Sequence, residues 1–238
     1  VLENLSDRTM KVSALIPVKG FSNAKQRLSP LLDGADRELF AEIMFRDVLA
    51  QVLKTRGLSE TFVVTGDEKV AEIATSLGAR LIREKVERGE TDAVDFARLE
   101  LKRLGHEAVL IIPGDLPLVR SADIEEVLAQ IPDGASLPFA LLVPSHDRMG
   151  TNALLLAPPD IIKLRFGYDS FSYHVSQVSA QGLPVRWMEN ERIALDIDEP
   201  KDLQQFLSFG FEGGESTRTA RALLTAQIAE TSRSCGDL

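Results

Sequence analysis

Residues 108–118, Ala108-Val109-Leu110-Ile111-Ile112-Pro113-Gly114-Asp115-Leu116-Pro117-Leu118, read as a buried strand that stops abruptly and presents one acid. Val109 to Ile112 is an unbroken apolar, mostly β-branched run, the composition of a parallel strand covered on both faces. Pro113-Gly114 removes a ladder donor and frees the backbone to turn, and Pro117 stiffens the turn that holds the acid. In open α/β sheets ligands gather outside the carboxyl ends of strands, so Asp115 stands where chemistry is done. Asp in such turns also often bonds its own backbone, and on this stretch alone the functional and turn-capping readings both stay open.

Working outward, the chain alternates βαβαβ. Lys11 to Pro17 reads as a first strand, and Leu39, Phe40, Ile43, Met44, Leu49, Val52 and Leu53 recur at helical spacing within Ala35 to Thr55. Thr61 to Thr65 is a second strand, Glu68 to Leu77 a helix stopped by Gly78, and Ala79 to Ile82 a short third strand. A charged loop at 83–91 precedes a helix marked by Ala93, Phe96, Ala97, Leu101 and Leu104 and ended by Gly105. Past Asp115, Ser121 reads as the N-cap of a helix that stops near Pro132. Leu137 to Pro144 and Asn152 to Ala157 are strands with no helix between them, which predicts an antiparallel excursion. A helix at Phe171 to Gln181, strands at Val185 to Met188 and Ile193 to Ile197, and a helix from Pro200 to about Phe209 complete the pattern. The expected architecture is a single α/β domain over 11–210, a mostly parallel twisted sheet with helices on both faces. Residues 1–10 read as an arm and 211–238 as a docked helix or tail.

Composition narrows the partners more than the activity. Among 238 residues, 44% are hydrophobic and 26% charged, which excludes disordered, collagenous and disulfide-rich classes. A net charge of −9 argues against a general nucleic-acid or anionic-membrane surface, so basic residues must be read locally. Cys235 is the sole cysteine, excluding an internal disulfide and a thiolate metal cage. No apolar run approaches the roughly 18 residues of a membrane span, and the start lacks a signal-type apolar core. A cytoplasmic protein is expected, and a homodimer is compatible with this composition.

Two further clusters carry chemistry. The loop after the first strand, Val18 to Leu28, places Lys19, Lys25 and Arg27 within nine residues. It has one glycine, Gly20, and no Gly-Lys-Ser/Thr ending, so side-chain pairing to phosphate is a better reading than backbone cradling; a solvated basic turn is the alternative. Leu195-Asp196-Ile197-Asp198-Glu199-Pro200 puts two acids at spacing two, hence on one face of an extended chain. Like charges held together invite a hard divalent cation, unless Asp198 merely caps the helix at Pro200. If this segment meets the Asp115 strand end, three carboxylates gather opposite the basic loop, an arrangement suited to a nucleoside triphosphate and Mg²⁺.

These segments, with Gly150-Thr151-Asn152-Ala153-Leu154 and Phe166-Gly167-Tyr168-Asp169-Ser170-Phe171 followed by His174, occur in the order seen in a known family. Together with Pro17-Val18-Lys19-Gly20, Lys25-Gln26-Arg27-Leu28-Ser29 and the two acidic segments, they resemble the 2-phospho-L-lactate and phosphoenolpyruvate guanylyltransferase family. The resemblance runs from residue 15 to about 203. It implies a glycosyltransferase-A-like Rossmann nucleotidyltransferase in coenzyme F420 biosynthesis. Such an enzyme passes GMP from GTP to 2-phospho-L-lactate, phosphoenolpyruvate or 3-phospho-D-glycerate and hands its product to the next transferase. It also implies Asp115, Asp196 and Asp198 for Mg²⁺, Lys19 and Lys25 as triphosphate contacts with catalytic roles, Gly20 and Arg27 beside the nucleotide, and Thr151, Gly167 and Ser170 for the acid. His174 has no obvious duty, since an anionic acceptor phosphate needs no general base. One departure stands out: Gly89-Glu90-Thr91-Asp92 replaces a usual Gly-Leu-Asn, which sets Asp92 near the base or the acceptor. Two alternatives stay open, a molybdopterin- or sugar-nucleotide-type transferase of the same fold and a non-catalytic nucleotide-binding protein.

Overall fold

The computed structural model describes residues 10–84, 88–132, 138–209 and 214–234, with side chains as far as residue 225. The arm at 1–9, Leu137 and Cys235 lie outside the described residues. One sheet runs through the described chain, made of β1 (Val12–Pro17), β2 (Leu58–Thr65), β3 (Arg80–Arg83), β4 (Ala108–Ile111), β5 (Phe139–Pro144), β6 (Thr151–Ala157) and β7 (Arg186–Trp187). Its order is β3-β2-β1-β4-β6-β5-β7. All neighbours are parallel except β6, which runs antiparallel to both β4 and β5. The antiparallel excursion is therefore a hairpin strand inserted at mid-sheet.

Alternation along the strands builds two cores. Ala14, Ile16, Val63, Leu110, Leu141 and Leu155 face α1 (Gly34–Lys54), α2 (Glu68–Leu77) and α4 (Ser121–Leu128). Leu15, Phe62, Val64, Val109, Ile111, Leu142 and Leu154 face α3 (Glu90–Arg103) and α5 (Ser170–Ala180). A β4 residue is thus buried whichever way it points, which is why its sequence is apolar throughout. A third cluster joins α1 to α6 (Pro200–Ser208) and α7 (Glu215–Ser234) through Phe40, Met44, Leu203, Phe206 and Ala220. Among the described residues no helix is long and apolar enough to cross a membrane.

Several expectations need correction. Ile193 to Ile197 forms no strand. Ile193, Leu195 and Ile197 are wholly buried, so the period-two signal is real. The chain instead commits its hydrogen bonds to Asn190 Oδ1, which accepts from Ile193 N, and to Asn152 and His146, whose N–H groups donate to the Ile193 and Ala194 carbonyls. Alternation marks a half-buried extended chain and does not require a neighbouring strand. Ser121 is the first helical residue of α4 rather than its cap; Arg120 holds that position, and its N–H donates to Asp123 at 2.9 Å. On α3 the inward positions are Ala93, Val94, Ala97, Arg98 and Leu101, while Phe96 and Leu104 stand exposed, because the face packed on the sheet runs through 93/94, 97/98 and 101.

Candidate active site

The basic loop leaves β1 and passes directly beside the end of β4. Gly114 allows this approach, since a Cβ there would lie 3.1 Å from Val18 Cγ2 and 3.2 Å from Phe45 Cδ2; Gly20 lets the same loop close on Asp67, whose Oδ2 would lie 2.9 Å from a Cβ at that position. Lys25 adopts a left-handed conformation, φ 52°, immediately before a 3-10 turn at Gln26–Leu28 whose Leu28 is wholly buried. That turn aims the Lys25 side chain inward. Its ammonium donates to Asp115 Oδ2 at 2.6 Å and to Asp198 Oδ1 at 2.8 Å, joining the basic loop, the β4 end and the acidic segment.

The charges respond to this contact. Burial would pull the Lys25 ammonium down, yet the two carboxylates outweigh it and hold it well above the usual lysine range. Burial would likewise raise Asp198, and Lys25 overrules it, keeping that carboxyl below its ordinary value. Asp196 is pushed up to about 6, first by burial and then by the charge of Asp115, against the pull of Asn152, which donates to its Oδ1 at 3.1 Å. Glu90, at the first position of α3, is pushed up to about 7 by burial and by Asp115.

Two cavities meet at these acids. One, of about 390 Å³, is lined by Lys19, Gly20, Lys25, Phe45 and Gly114. The other, of about 440 Å³, is lined by Gly150, Thr151, Gly167, Ser170, Asp196 and Arg27. Pro113, Asp115, Glu90 and Asp198 line both, so the carboxylates form the shared wall. The second cavity is framed by the start of β6 and the N-terminus of α5, where Thr151 N donates to Ser170 Oγ at 3.0 Å. Behind Thr151, the wholly buried His174 reaches its hydroxyl at 3.0 Å.

His174 is held neutral. Burial, then the charges of Arg165 and Arg98, push it down to about 4. The unfolded chain, with an ordinary histidine, takes up a proton first, so this residue's stabilising share is complete above about pH 6.5 and is lost as pH falls toward 4. Wild type should therefore lose about 2–3 kcal/mol more than His174→Asn between pH 7 and 4.5 in urea titrations, since 1.36 kcal/mol attends each pKa unit. Glu90 and Asp196 titrate in that window with the opposite sign, but equally in both proteins. Parallel losses would refute the assignment.

The structure brings together most of the side chains singled out in sequence. Lys19, Gly20 and Lys25 line one cavity, Thr151, Gly167, Ser170 and Asp196 the other, and Asp115 and Asp198 both. Arg27 lines the second cavity, exposed and 3.6 Å from Glu199, rather than the cavity of Lys19 and Lys25. Asp92 is exposed on the first turn of α3 and lines neither cavity. The acid that α3 delivers to the site is Glu90. Sequence reasoning misses it as a loop residue, although an acid just after Gly89 at the start of a helix is a usable signal.

Similarity to known proteins bears on this geometry. The family profile described as "Guanylyl transferase CofC like" matches residues 12–234. The chain belongs to this family. It is 36% identical to the phosphoenolpyruvate guanylyltransferase of Rubrobacter xylanophilus over 213 residues, covering 90% of this chain and 100% of that one. It is 34% identical to the 2-phospho-L-lactate guanylyltransferase of Methanothermobacter thermautotrophicus over 218 residues, covering 90% and 92%. A crystal structure from Desulfovibrio desulfuricans G20 shares the fold with a TM-score of 0.73 at 17% identity, covering 91% and 98%. The CofC-like chain is thus a guanylyltransferase by family, and its nucleotidyltransferase-type Rossmann sheet is the expected one.

Proposed function

We propose that this chain joins GMP from GTP to the phosphate of a small phosphorylated carboxylic acid, releasing pyrophosphate. The observation that carries the reading is the pair of cavities divided by a carboxylate wall, Lys19 and Lys25 on one side and Thr151 and Ser170, with Arg27 and Lys201, on the other. GTP occupies the lysine side, where Lys19 and Lys25 neutralise its phosphates. The acid occupies the other side, where Thr151, Ser170 and the backbone at Gly167 hold its anionic groups. An oxygen of the acceptor phosphate attacks the α-phosphorus, the bond from that phosphorus to the α,β-bridging oxygen breaks, and pyrophosphate leaves. The acceptor oxygen is already anionic, so no side chain need remove a proton.

The donor set suits Mg²⁺. Among the described residues no three side chains cage a metal unaided, but Mg²⁺ is commonly held by one or two carboxylates together with substrate phosphates. Asp115 and Asp198 already accept one cation, the Lys25 ammonium, and Asp196 lines the cavity beside them, pushed up first by burial and then by the charge of Asp115. These three would hold the metal. When bound, Mg²⁺ supplies positive charge to the phosphate oxygens as negative charge shifts toward the leaving group. The product, a mixed anhydride of two phosphates, is an activated donor for a following transferase in coenzyme F420 assembly.

The test incubates the protein with GTP, Mg²⁺ and 2-phospho-L-lactate, phosphoenolpyruvate or 3-phospho-D-glycerate in turn, with pyrophosphate measured directly and the product trapped by the next transferase. Acid-dependent pyrophosphate release is expected. GTP binding without release under any acid would leave a non-catalytic nucleotide-binding protein as the better reading, and release only with other phosphorylated acceptors would name a different product.

A further inference from the structure

His174 lies behind the acceptor cavity without lining it, yet the hydrogen bonds around it determine what Thr151 can do. Arg165 N–H donates to His174 Nε2 at 3.2 Å. A backbone amide can only donate, so Nε2 carries no proton, and the neutral ring must hold its proton on Nδ1. Nδ1 is 3.0 Å from Thr151 Oγ1, so the ring donates and the threonine oxygen accepts. The Thr151 hydroxyl proton is thereby turned away from the ring. The same logic governs its neighbour: Ser170 Oγ accepts from Thr151 N–H at 3.0 Å, leaving the serine proton free to donate elsewhere. Both residues line the cavity. The imidazole is held in this orientation by edge contacts to Phe166, 5.4 Å between centroids at 68°, and to Tyr173, 5.9 Å at 67°. Phe166 is itself tied to α3, its N–H donating to Thr91 Oγ1 at 2.9 Å.

We infer that His174 is a positioning residue that fixes the polarity of the Thr151 hydroxyl, making it a hydrogen-bond donor to the anionic group of the acceptor acid. This rests on the proposed occupancy of that cavity by the acid. It gives the motif histidine a duty that the reaction chemistry did not supply: a buried relay from the Arg165 amide through the ring to Thr151, ending in a donor aimed at substrate. A threonine left to choose its own rotor could present a lone pair to a carboxylate or phosphate, which repels it. The relay removes that choice.

The first measurement needs no variant. With ¹⁵N-labelled histidine, the chain's three histidines give few resonances, and His174 should show a protonated Nδ1 and a bare Nε2 at pH 7. The opposite tautomer, or a charged ring, would overturn the inference. The second uses the acid that wild type turns over. Asn at 174 keeps a donor near the Nδ1 position, whereas Gln reaches toward Nε2 and offers Thr151 none. His174→Asn should hold the acceptor KM within about 3-fold of wild type, while His174→Gln should raise it about 10-fold with the GTP KM unchanged, the loss of one hydrogen bond to a charged group. In a Thr151→Val background the Gln substitution should add nothing further. Equal losses in Asn and Gln variants, a matching rise in the GTP KM, or additive losses with Thr151→Val would each show a merely structural role. If wild type turned over no acid at all, the proposed function would fail, whereas intact wild-type turnover with unaltered variants would fail His174 alone.

Discussion

Asp115→Asn is expected to lose about 10³-fold in kcat while unfolding within a few degrees of wild type. The substitution keeps the shape of the turn after β4 and removes one negative charge from the wall between the two cavities. Deleting one preorganised electrostatic group of an active site costs about 10²–10³ in kcat, and Asp115, which like Asp198 meets Lys25 and lines both cavities, would act through the metal it is proposed to hold. Stability should change little, because Lys25 retains Asp198 at 2.8 Å and Asp115 is about one-third exposed. Pyrophosphate release and a melting curve on the same preparation check both halves. Undiminished turnover with Mg²⁺ as sole metal would end the proposal that this acid is catalytic.

Lys25→Met should damage both stability and nucleotide use. Its side chain is 9% exposed and its ammonium is held between two carboxylates, so removing it leaves Asp115 and Asp198 facing each other without compensation. Breaking a fully buried pair costs about 3–5 kcal/mol. Here the acids are 32% and 47% exposed, and water screens them, which brings the expectation to about 2 kcal/mol, or about 4–8 °C for a chain of this size. The GTP KM should rise by about 10- to 100-fold, the worth of a charge-assisted bond to phosphate. Mg²⁺ should restore part of the lost melting temperature, since a divalent ion can replace the missing positive charge between the acids. A variant as stable as wild type with an unchanged GTP titration would show that Lys25 neither bridges the acids nor meets the nucleotide.

How much of this was legible in the sequence depends on the range of the interaction involved. β4 could be read because burial on both faces leaves an unbroken apolar run, and α2 because its N-terminal acid and its terminal glycine sit at opposite ends. The acids could be singled out because their spacing and their place after apolar segments are local facts. The Lys25 bridge was not legible. It joins residues separated by 90 and 173 positions, and no periodicity reports such a meeting. Glu90 escapes a sequence reading because its importance comes from burial beside Asp115, while Asp92, conspicuous as a departure from the family pattern, is turned outward by the helical phase of α3. The segment 193–197 misleads in pairing but is legible in facing, because the side-chain period records burial and is silent about the ladder.

The reversed strand β6 has a consequence for how such a protein can change. Because it runs against β4, its beginning rather than its end lies at the carboxyl edge, and the hairpin 145–150 that leads into it forms part of the acid-side wall. The lysine side is built on β1 and the loop after it, at another address in the chain. On the proposed occupancy, the two halves of the reaction are thus written on separate lengths of backbone. An exchange of one short hairpin would then remodel what is accepted without rewriting what is donated.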